Sequence, residues 1–383
     1  MPRELYIYTH EFFPSRGGIA TYCHEFATAA ASVMGQVVVI GPKGAQTPDG
    51  TAHRYLLKQG NHHGSHNPSC VWKTRQQLRK TLHQHPAAIH LLAEPGPILA
   101  YGLLSQKDSR GQVQLTLHGS EIERWRSHPI SRALARRAFR NAVAIQVVST
   151  PVLQSLLQHF PEARDKATVV NNALPESFRQ AAVHQAHDPL QPMKSGMMKL
   201  LSVGRIHPRK GFDQIIQALA LLSEDEKETL HYKVAGASKD RAYLASLKRL
   251  AEAANIHIEF ALNPNLDELK ACYAAADVFA LSSMPRKKSV EGFGIVYLEA
   301  GAYALPCLAY DTGGVCEAIQ HNVTGFLVDV GNIDQLSEQI RFFLQNPDIR
   351  FKMGAANRAF ALSQTWKNVV KKTLINSTHK TVT

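Results

Sequence analysis

The feature that most constrains this chain is a rhythm: short β-branched apolar runs alternate with longer amphipathic segments along nearly all of its 383 residues. Leu5–Tyr8, Val37–Ile40, Ile89–Leu92, Gln114–Leu117, Ala144–Val148 and Thr168–Val170 read as strands buried on both faces. The rhythm stops at residues 181–198, AAVHQAHDPLQPMKSGMM, where two prolines and no periodicity mark a linker. It resumes with Leu200–Val203, Lys233–Ala235, His257–Phe260, Val278–Ala280, Pro306–Ala309 and Gly325–Val328. Strand and helix in strict alternation fold as parallel sheets covered by helices. The expected class is therefore α/β, with two Rossmann-like domains facing a central cleft. The domains are 1–180 and 199–360; a last helix, from about Ala361 to Leu374 within 361–383, could cross back to the N-terminal domain.

Composition narrows the setting. A chain that is 44% hydrophobic and 19% charged is an ordinary globular protein. Its most apolar stretch, Ile89–Leu104, is interrupted by His90, Glu94, Pro95 and Pro97, and the N-terminus reads as a first strand rather than a signal segment. Five cysteines without a C-x-x-C pair point to a reducing, cytoplasmic compartment. The net charge is +12, of which residues 1–180, with 20 basic and 11 acidic side chains, carry +9. An anionic surface or substrate is expected on that half. Arg132, Arg136 and Arg140 recur at helical spacing beside Ile130, Leu134 and Ala138, and Arg75, Arg79 and His83 repeat the pattern near Trp72 and Leu78. That favours peripheral docking on an anionic membrane. A nucleic-acid partner is not expected, because no interleaved aromatics or recognition motif accompany the charge. His62, His63 and His66 lack a helical frame and a carboxylate partner, so the segment Asn61–Ser69 reads as a solvated loop.

Two segments carry the chemistry. In Leu201-Ser-Val-Gly-Arg-Ile-His-Pro-Arg-Lys-Gly-Phe-Asp213 a strand ends at Val203, Arg205 emerges at its carboxyl end, and Lys210 precedes a helix start. Two cations beside a helix N-terminus suit a diphosphate. In Glu291-Gly-Phe-Gly-Ile-Val-Tyr-Leu-Glu299 a carboxylate precedes a Gly-x-Gly turn, and a second lies about one turn inside the following helix. Free N–H groups around Phe293, Gly294 and Ile295 can hold phosphate, while Glu291 and Glu299 can each accept hydrogen bonds from hydroxyl groups.

These segments resemble the donor-site motifs of the retaining GT-B glycosyltransferases of family 4. V-G-R-x-x-x-x-K-G matches at Val203–Gly211 and E-x-F-G-x-x-x-x-E at Glu291–Glu299. Gly301–Pro306, Thr312–Glu317 and Asn322–Phe326 extend the match. In the first half, His10–Ile19 with Gly17 and Gly18 is similar to the family's phosphate-side loop, and Leu117-His118-Gly119 to its histidine pair. Val170–Leu174 departs from the family's P-N-G-V, with Asn171 for Pro and Ala173 for Gly.

The resemblance implies the GT-B fold and retaining transfer of a sugar from a nucleoside diphosphate to a hydroxyl of a saccharide or lipid-linked acceptor. A UDP-sugar is favoured and GDP-mannose comes next. It implies His118, Arg205, Lys210 and Glu291 as the catalytic set. Gly17, Gly18, Phe293, Gly294, Ile295 and Glu299 would join Arg205, Lys210 and Glu291 in donor binding. No metal and no cofactor beyond the nucleotide-sugar co-substrate is implied. The nucleotide base is expected near Phe260–Leu262. A sugar-nucleotide 2-epimerase of the same architecture is the alternative.

Overall fold

A computed structural model describes residues 4–14, 17–57, 67–184, 196–286 and 289–375. The chain divides into two compact units. The first contains, among the described residues, those up to Asn172, then 289–293, then those from Thr365 on; the second contains Ala173–Arg286 and Gly294–Gln364.

The first unit runs β1 (Glu4–Tyr8), α1 (Gly18–Ala31), β2 (Gln36–Pro42), β3 (Thr51–Leu57), α2 (Pro68–Gln84), β4 (Ile89–Leu92), α3 (Pro95–Gly102), β5 (Gln112–Leu117), α4 (Ser120–Arg126), α5 (Pro129–Asn141), β6 (Ala144–Val147), α6 (Thr150–His159) and β7 (Ala167–Val169). Its seven strands form one parallel sheet in the order β3-β2-β1-β4-β5-β6-β7. The second runs α7 (Glu176–His184), β8 (Met198–Val203), α8 (Phe212–Ala220), α9 (Glu224–Glu228), β9 (Leu230–Gly236), α10 (Arg241–Ala253), β10 (Ile258–Leu262), α11 (Leu266–Ala274), β11 (Val278–Leu281), α12 (Ile295–Ala302), β12 (Cys307–Tyr310), α13 (Val315–Ala318), β13 (Gly325–Val328), α14 (Ile333–Gln345) and α15 (Pro347–Ser363). Its six strands are also all parallel, in the order β10-β9-β8-β11-β12-β13. A final helix, α16 (Trp366–Ile375), packs on α1 of the first unit, where the Trp366 and Tyr22 rings meet edge to face at 5.4 Å.

The central strands are apolar runs because helices cover both their faces: Leu5, Tyr6, Ile7 and Tyr8 of β1 are fully buried. Strand β3 shows the limit of that rule. TAHRYLL carries His53 and Arg54 and was not expected as a strand; among the described residues it lies at the sheet edge and pairs with β2 alone, so it need not be apolar throughout.

The domain boundaries also differ from expectation. Residues 173–180 go with the second unit rather than the first, and 181–184 are helix rather than linker. The reason is α7: Phe178 packs edge-on against Tyr273 and Tyr303, and the Arg179 guanidinium donates to the carbonyls of Leu362 and Gln364 at 2.8 and 2.7 Å. Linker residues 185–195 and the histidines His62, His63 and His66 lie outside the described residues. The expected final helix is two helices, α15 and α16, broken at Gln364–Thr365.

In the first unit, helix α3 is buried along its whole length and packs against both α2 and α5. This depends on Gly102: a Cβ there would lie 2.3 Å from the Leu134 carbonyl oxygen of α5. Gly102→Ala should therefore push α5 outward and destabilise the fold by about 1–3 kcal/mol, seen as a lower urea midpoint. An unchanged midpoint would mean the two helices do not pack this closely.

Candidate functional site

In an open parallel sheet, ligands collect at the carboxyl ends of the strands where the strand order reverses, because the loops on either side diverge there. The second sheet reverses between β8 and β11. Arg205 and Lys210 follow β8, and Ser282 follows β11, donating through Oγ to the Gly211 carbonyl at 2.6 Å. Arg205 is exposed, whereas Lys210 is 8% exposed, with its aliphatic stem lying over Gly204. The local potential is strongly positive. Burial and then the guanidiniums of Arg205, Arg286 and Arg209 hold the His207 imidazole below its ordinary range.

Gly294, with φ 93°, precedes α12, and no side chain caps that helix, so the N–H groups of Ile295 and Val296 can face an anion, the Tyr297 N–H being donated to the Gly294 carbonyl. Glu299 lies one turn into α12. Tyr273 donates to its Oε2 at 2.8 Å, and the charge of Lys210 reaches it. Burial nevertheless pushes the Glu299 carboxyl up to about 7. The structure thus brings Lys210, Glu299 and the start of α12 within electrostatic reach of one another. Tyr273 was not foreseen; as an aromatic in an ordinary helix pattern it carries no sequence signal. Phe260–Leu262, where the nucleotide base is expected, is the last part of strand β10, which runs two residues further than the sequence suggests.

In the first unit, His118 directly follows β5. Its Nε2 lies 3.0 Å from the Ala93 carbonyl, which can only accept, so Nε2 carries the hydrogen and Nδ1 of the neutral ring is an acceptor. The Tyr22 ring meets the imidazole edge to face at 5.0 Å, and the His118 backbone N–H donates to Glu121. The loop carrying Glu291 is laid against this histidine. Ser149 Oγ donates to the Gly292 carbonyl at 2.7 Å, and Ser120 Oγ to the Val290 carbonyl at 3.3 Å. Only glycine can stand at position 292, because a Cβ would lie 2.0 Å from the His118 carbonyl oxygen. Phe293 is buried behind it. His118 and the Glu291 loop are therefore brought together, and Ser120 and Ser149 are anchors that the motif reading missed.

Gly17 and Gly18 open α1 without a side-chain cap. Gly17 is extended, at φ 166°, and a Cβ at Gly18 would meet nothing within 4 Å. Nothing described inside the protein requires glycine at these two positions. The open space suits close approach by an external group.

Comparison with known proteins agrees with this architecture. Residues 16–178 match the family model described as Glycosyltransferase Family 4, and residues 190–360 the model described as Glycosyl transferases group 1. The chain belongs to the family 4, group 1 glycosyltransferases. Within the family it is 28% identical over 378 residues to a GDP-mannose-dependent alpha-(1-6)-phosphatidylinositol monomannoside mannosyltransferase of Mycobacterium tuberculosis, spanning 96% of this chain and 95% of that protein. A GDP-mannose-dependent monoacylated alpha-(1-6)-phosphatidylinositol monomannoside mannosyltransferase of Corynebacterium glutamicum is 25% identical, with 93% of each chain covered. The glycosyltransferase also shares its fold with Anabaena HepE solved with UDP, at TM-score 0.74 and 17% identity, covering 97% of this chain and 98% of that one. The trehalose-phosphate synthase of Burkholderia xenovorans gives TM-score 0.75 at 12% identity, over 98% and 100% of the chains. The fold is GT-B.

The Glu299 carboxyl makes a checkable statement about stability. Its folded value of about 7 exceeds the ordinary 4.5, so the folded state holds the proton more tightly than the unfolded chain. This contribution is complete below about pH 4.5 and is lost as pH rises toward 7. Glu299→Gln removes the ionisation. Relative to wild type, the variant should be more stable at pH 8 than at pH 5, read as the difference in urea midpoints. A difference that does not change with pH would place Glu299 in a solvated setting.

Proposed function

We propose that this glycosyltransferase moves a hexose, with retention of anomeric configuration, from a nucleoside-diphosphate sugar to a hydroxyl of a glycolipid acceptor at an anionic membrane surface. The observation that carries the donor half is the cationic switch point of the second sheet, where Arg205 and Lys210 follow β8 and the Lys210 charge reaches Glu299. The named activities of the relatives that span the whole chain put GDP-mannose ahead of the UDP-sugar expected from sequence.

In this reading Arg205, Lys210 and the N–H groups of Gly294 and Ile295 stabilise the charge that grows on the departing diphosphate. Gly17 and Gly18 leave room for the phosphates. Phe293 packs behind the loop, Glu299 accepts from the ribose hydroxyls, and Glu291 and His118 Nδ1 accept from hydroxyls of the transferred sugar. The bond from the anomeric carbon to the diphosphate breaks as the acceptor oxygen bonds to that carbon. The acceptor's proton passes to the leaving phosphate on the same face, so no carboxylate dyad is required. The reaction as proposed uses no metal ion, and EDTA should leave the rate unchanged.

Arg205→Ala should lower kcat by about 10²–10³ while the acceptor KM changes little. Glu291→Ala should likewise impair transfer. Wild-type turnover in either variant would overturn the assignment. Donor consumption without any acceptor would indicate the epimerase chemistry instead.

The membrane half rests on the first unit. An open groove of ≈ 460 Å³ is lined by Arg126, Arg132, Arg136 and Arg140, and one of ≈ 570 Å³ by Trp72, Arg75, Arg79, Lys80 and His83. Arg126 and Arg136 pair with Glu123 and Glu162, which tempers the field. Ile130 and Trp72 stand 68% and 52% exposed among these cations, and the Arg75 guanidinium lies 4.7 Å from the Trp72 ring centre. Among the described residues no helix is long and apolar enough to cross a membrane. Docking should appear as co-sedimentation with phosphatidylserine or phosphatidylinositol vesicles at low salt, weakened several-fold by Arg132→Glu with Arg140→Glu. Equal binding to zwitterionic vesicles, or none to anionic ones, would count against it.

A further inference from the structure

Helix α11 is only 9 residues long, and its start is firmly capped. Asn265 Oδ1 accepts the N–H groups of Asp267 and Glu268, both at 2.9 Å, while the Glu268 carboxyl reaches back to the Asn265 N–H at 2.7 Å. The helix turns Cys272 and Tyr273 inward, and Tyr273 is fully buried. Aromatic rings fix it there. Tyr273 lies nearly parallel to Phe279 of β11 at 5.9 Å and to Tyr303, just past α12, at 5.7 Å, and Phe178 of α7 meets it edge-on at 5.6 Å. Tyr297 of α12 also stands edge-on to Phe279, at 5.6 Å, and donates to the Leu281 carbonyl of β11 at 3.1 Å. Helices α11 and α12 are thus both set against one side chain of β11, which fixes Tyr273 relative to Glu299.

The Tyr273 hydroxyl donates to Glu299 Oε2 at 2.8 Å. Burial, then the Glu299 charge, hold this phenol well above its ordinary range, so it keeps its proton and stays a donor. Tyr303 faces the same carboxyl, and its phenol is pushed up to about 12 by burial and then by Glu299. Burial raises the Glu299 carboxyl, and the Tyr273 hydrogen bond and then the Lys210 charge oppose it. Glu299 itself is half-buried, and among the described residues Tyr273 is its one hydrogen-bond partner, which leaves Oε1 open. A carboxylate held at one oxygen by a donor on a rigid ring cannot turn freely, so the direction of the other oxygen is set as well. The same hydrogen bond favours the ionised form, in which Oε1 is an acceptor only.

We propose that Tyr273 is a positioning residue for the donor nucleotide: by holding Glu299 Oε2 it aims Oε1 at a ribose hydroxyl, and so makes the site select nucleotides that carry ribose hydroxyls over those that lack them. The proposal rests on the reading of Glu299 as the ribose contact of a glycosyltransferase. It adds that the selectivity depends on a side chain that touches no part of the substrate. A site built to pair with a ligand hydroxyl rejects the analogue without it, because the fixed partner is left unpaired.

The test is calorimetric titration of the full chain with whichever of GDP and UDP binds the wild type, and with the 2′,3′-dideoxy form of the same nucleotide. The wild type should bind the ribonucleotide about ten-fold or more tightly than the dideoxy form. Tyr273→Phe keeps the ring and its packing and removes the hydroxyl alone. It should weaken the ribonucleotide about ten-fold and leave the dideoxy form within about two-fold of wild type, which also reports that the site is still formed. In a Glu299→Ala background, Tyr273→Phe should cause no further loss of ribonucleotide affinity, because the hydroxyl then has nothing to act through. Equal weakening of both nucleotides would give Tyr273 a purely structural role and overturn the proposal. Unchanged ribonucleotide binding, a further loss in the Glu299→Ala background, or equal affinity of the wild type for the two forms would overturn it too. Failure of both GDP and UDP to bind the wild type would instead overturn the donor-site reading itself, a separate outcome.

Discussion

Everything functional in this chain follows from strands that all run the same way. A parallel strand cannot return by a tight turn, so nearly every strand is followed by a crossover helix, β2 alone among the described strands within a sheet reaching its successor, β3, through a loop, and every strand delivers its next loop to the same edge of the sheet. Apolar residues fill the interior because helices cover both faces. Polar and charged residues are thereby left for the carboxyl edge, where the helices also begin. The point at which strand order reverses opens a gap between loops, and both sheets have one, β1/β4 and β8/β11.

The two reversals share a topology and differ in charge. Around β8 and β11 the side chains are Arg205, Arg209, Lys210 and Arg286, and even the nearby imidazole of His207 is disfavoured as a cation. Around β1 and β4 they are Glu11, Glu94 and Glu121, and a buried carboxyl resists ionisation. The backbone supplies an equivalent gap in each sheet, and the side chains decide what fits it. A diphosphate suits the first of these environments. Much of the basic surplus of residues 1–180 sits on α2 and α5, which both pack against the buried α3.

The motif from Glu291 to Glu299 shows how sequence contiguity and structural membership can part. Its first residues belong to the first unit and the rest to the second, with the change at Phe293–Gly294. Gly292 permits the approach to the His118 carbonyl, and Gly294 the turn into α12. The two glycines of one short pattern serve two different units.

The alternation of apolar runs and amphipathic segments was enough to reveal two parallel α/β units, because burial on both faces leaves a compositional trace in each central strand. The edge strand β3 escaped, since pairing on one side leaves no such trace, and α7 was misassigned because the partner of Phe178 is invisible along the chain. Arg205, Lys210, Glu291 and Glu299 stood out because fixed spacing around a strand end and a helix start is itself a local property. Glu94 was visible only as an interruption in an apolar run. That it pairs with His10, 84 residues away, faces Glu11 and Glu121, and keeps one oxygen unpartnered was decided by the tertiary structure alone. Sequence determines what each strand end carries; which strand ends become neighbours is set by sheet order, and the electrostatics of a site depend on those neighbours.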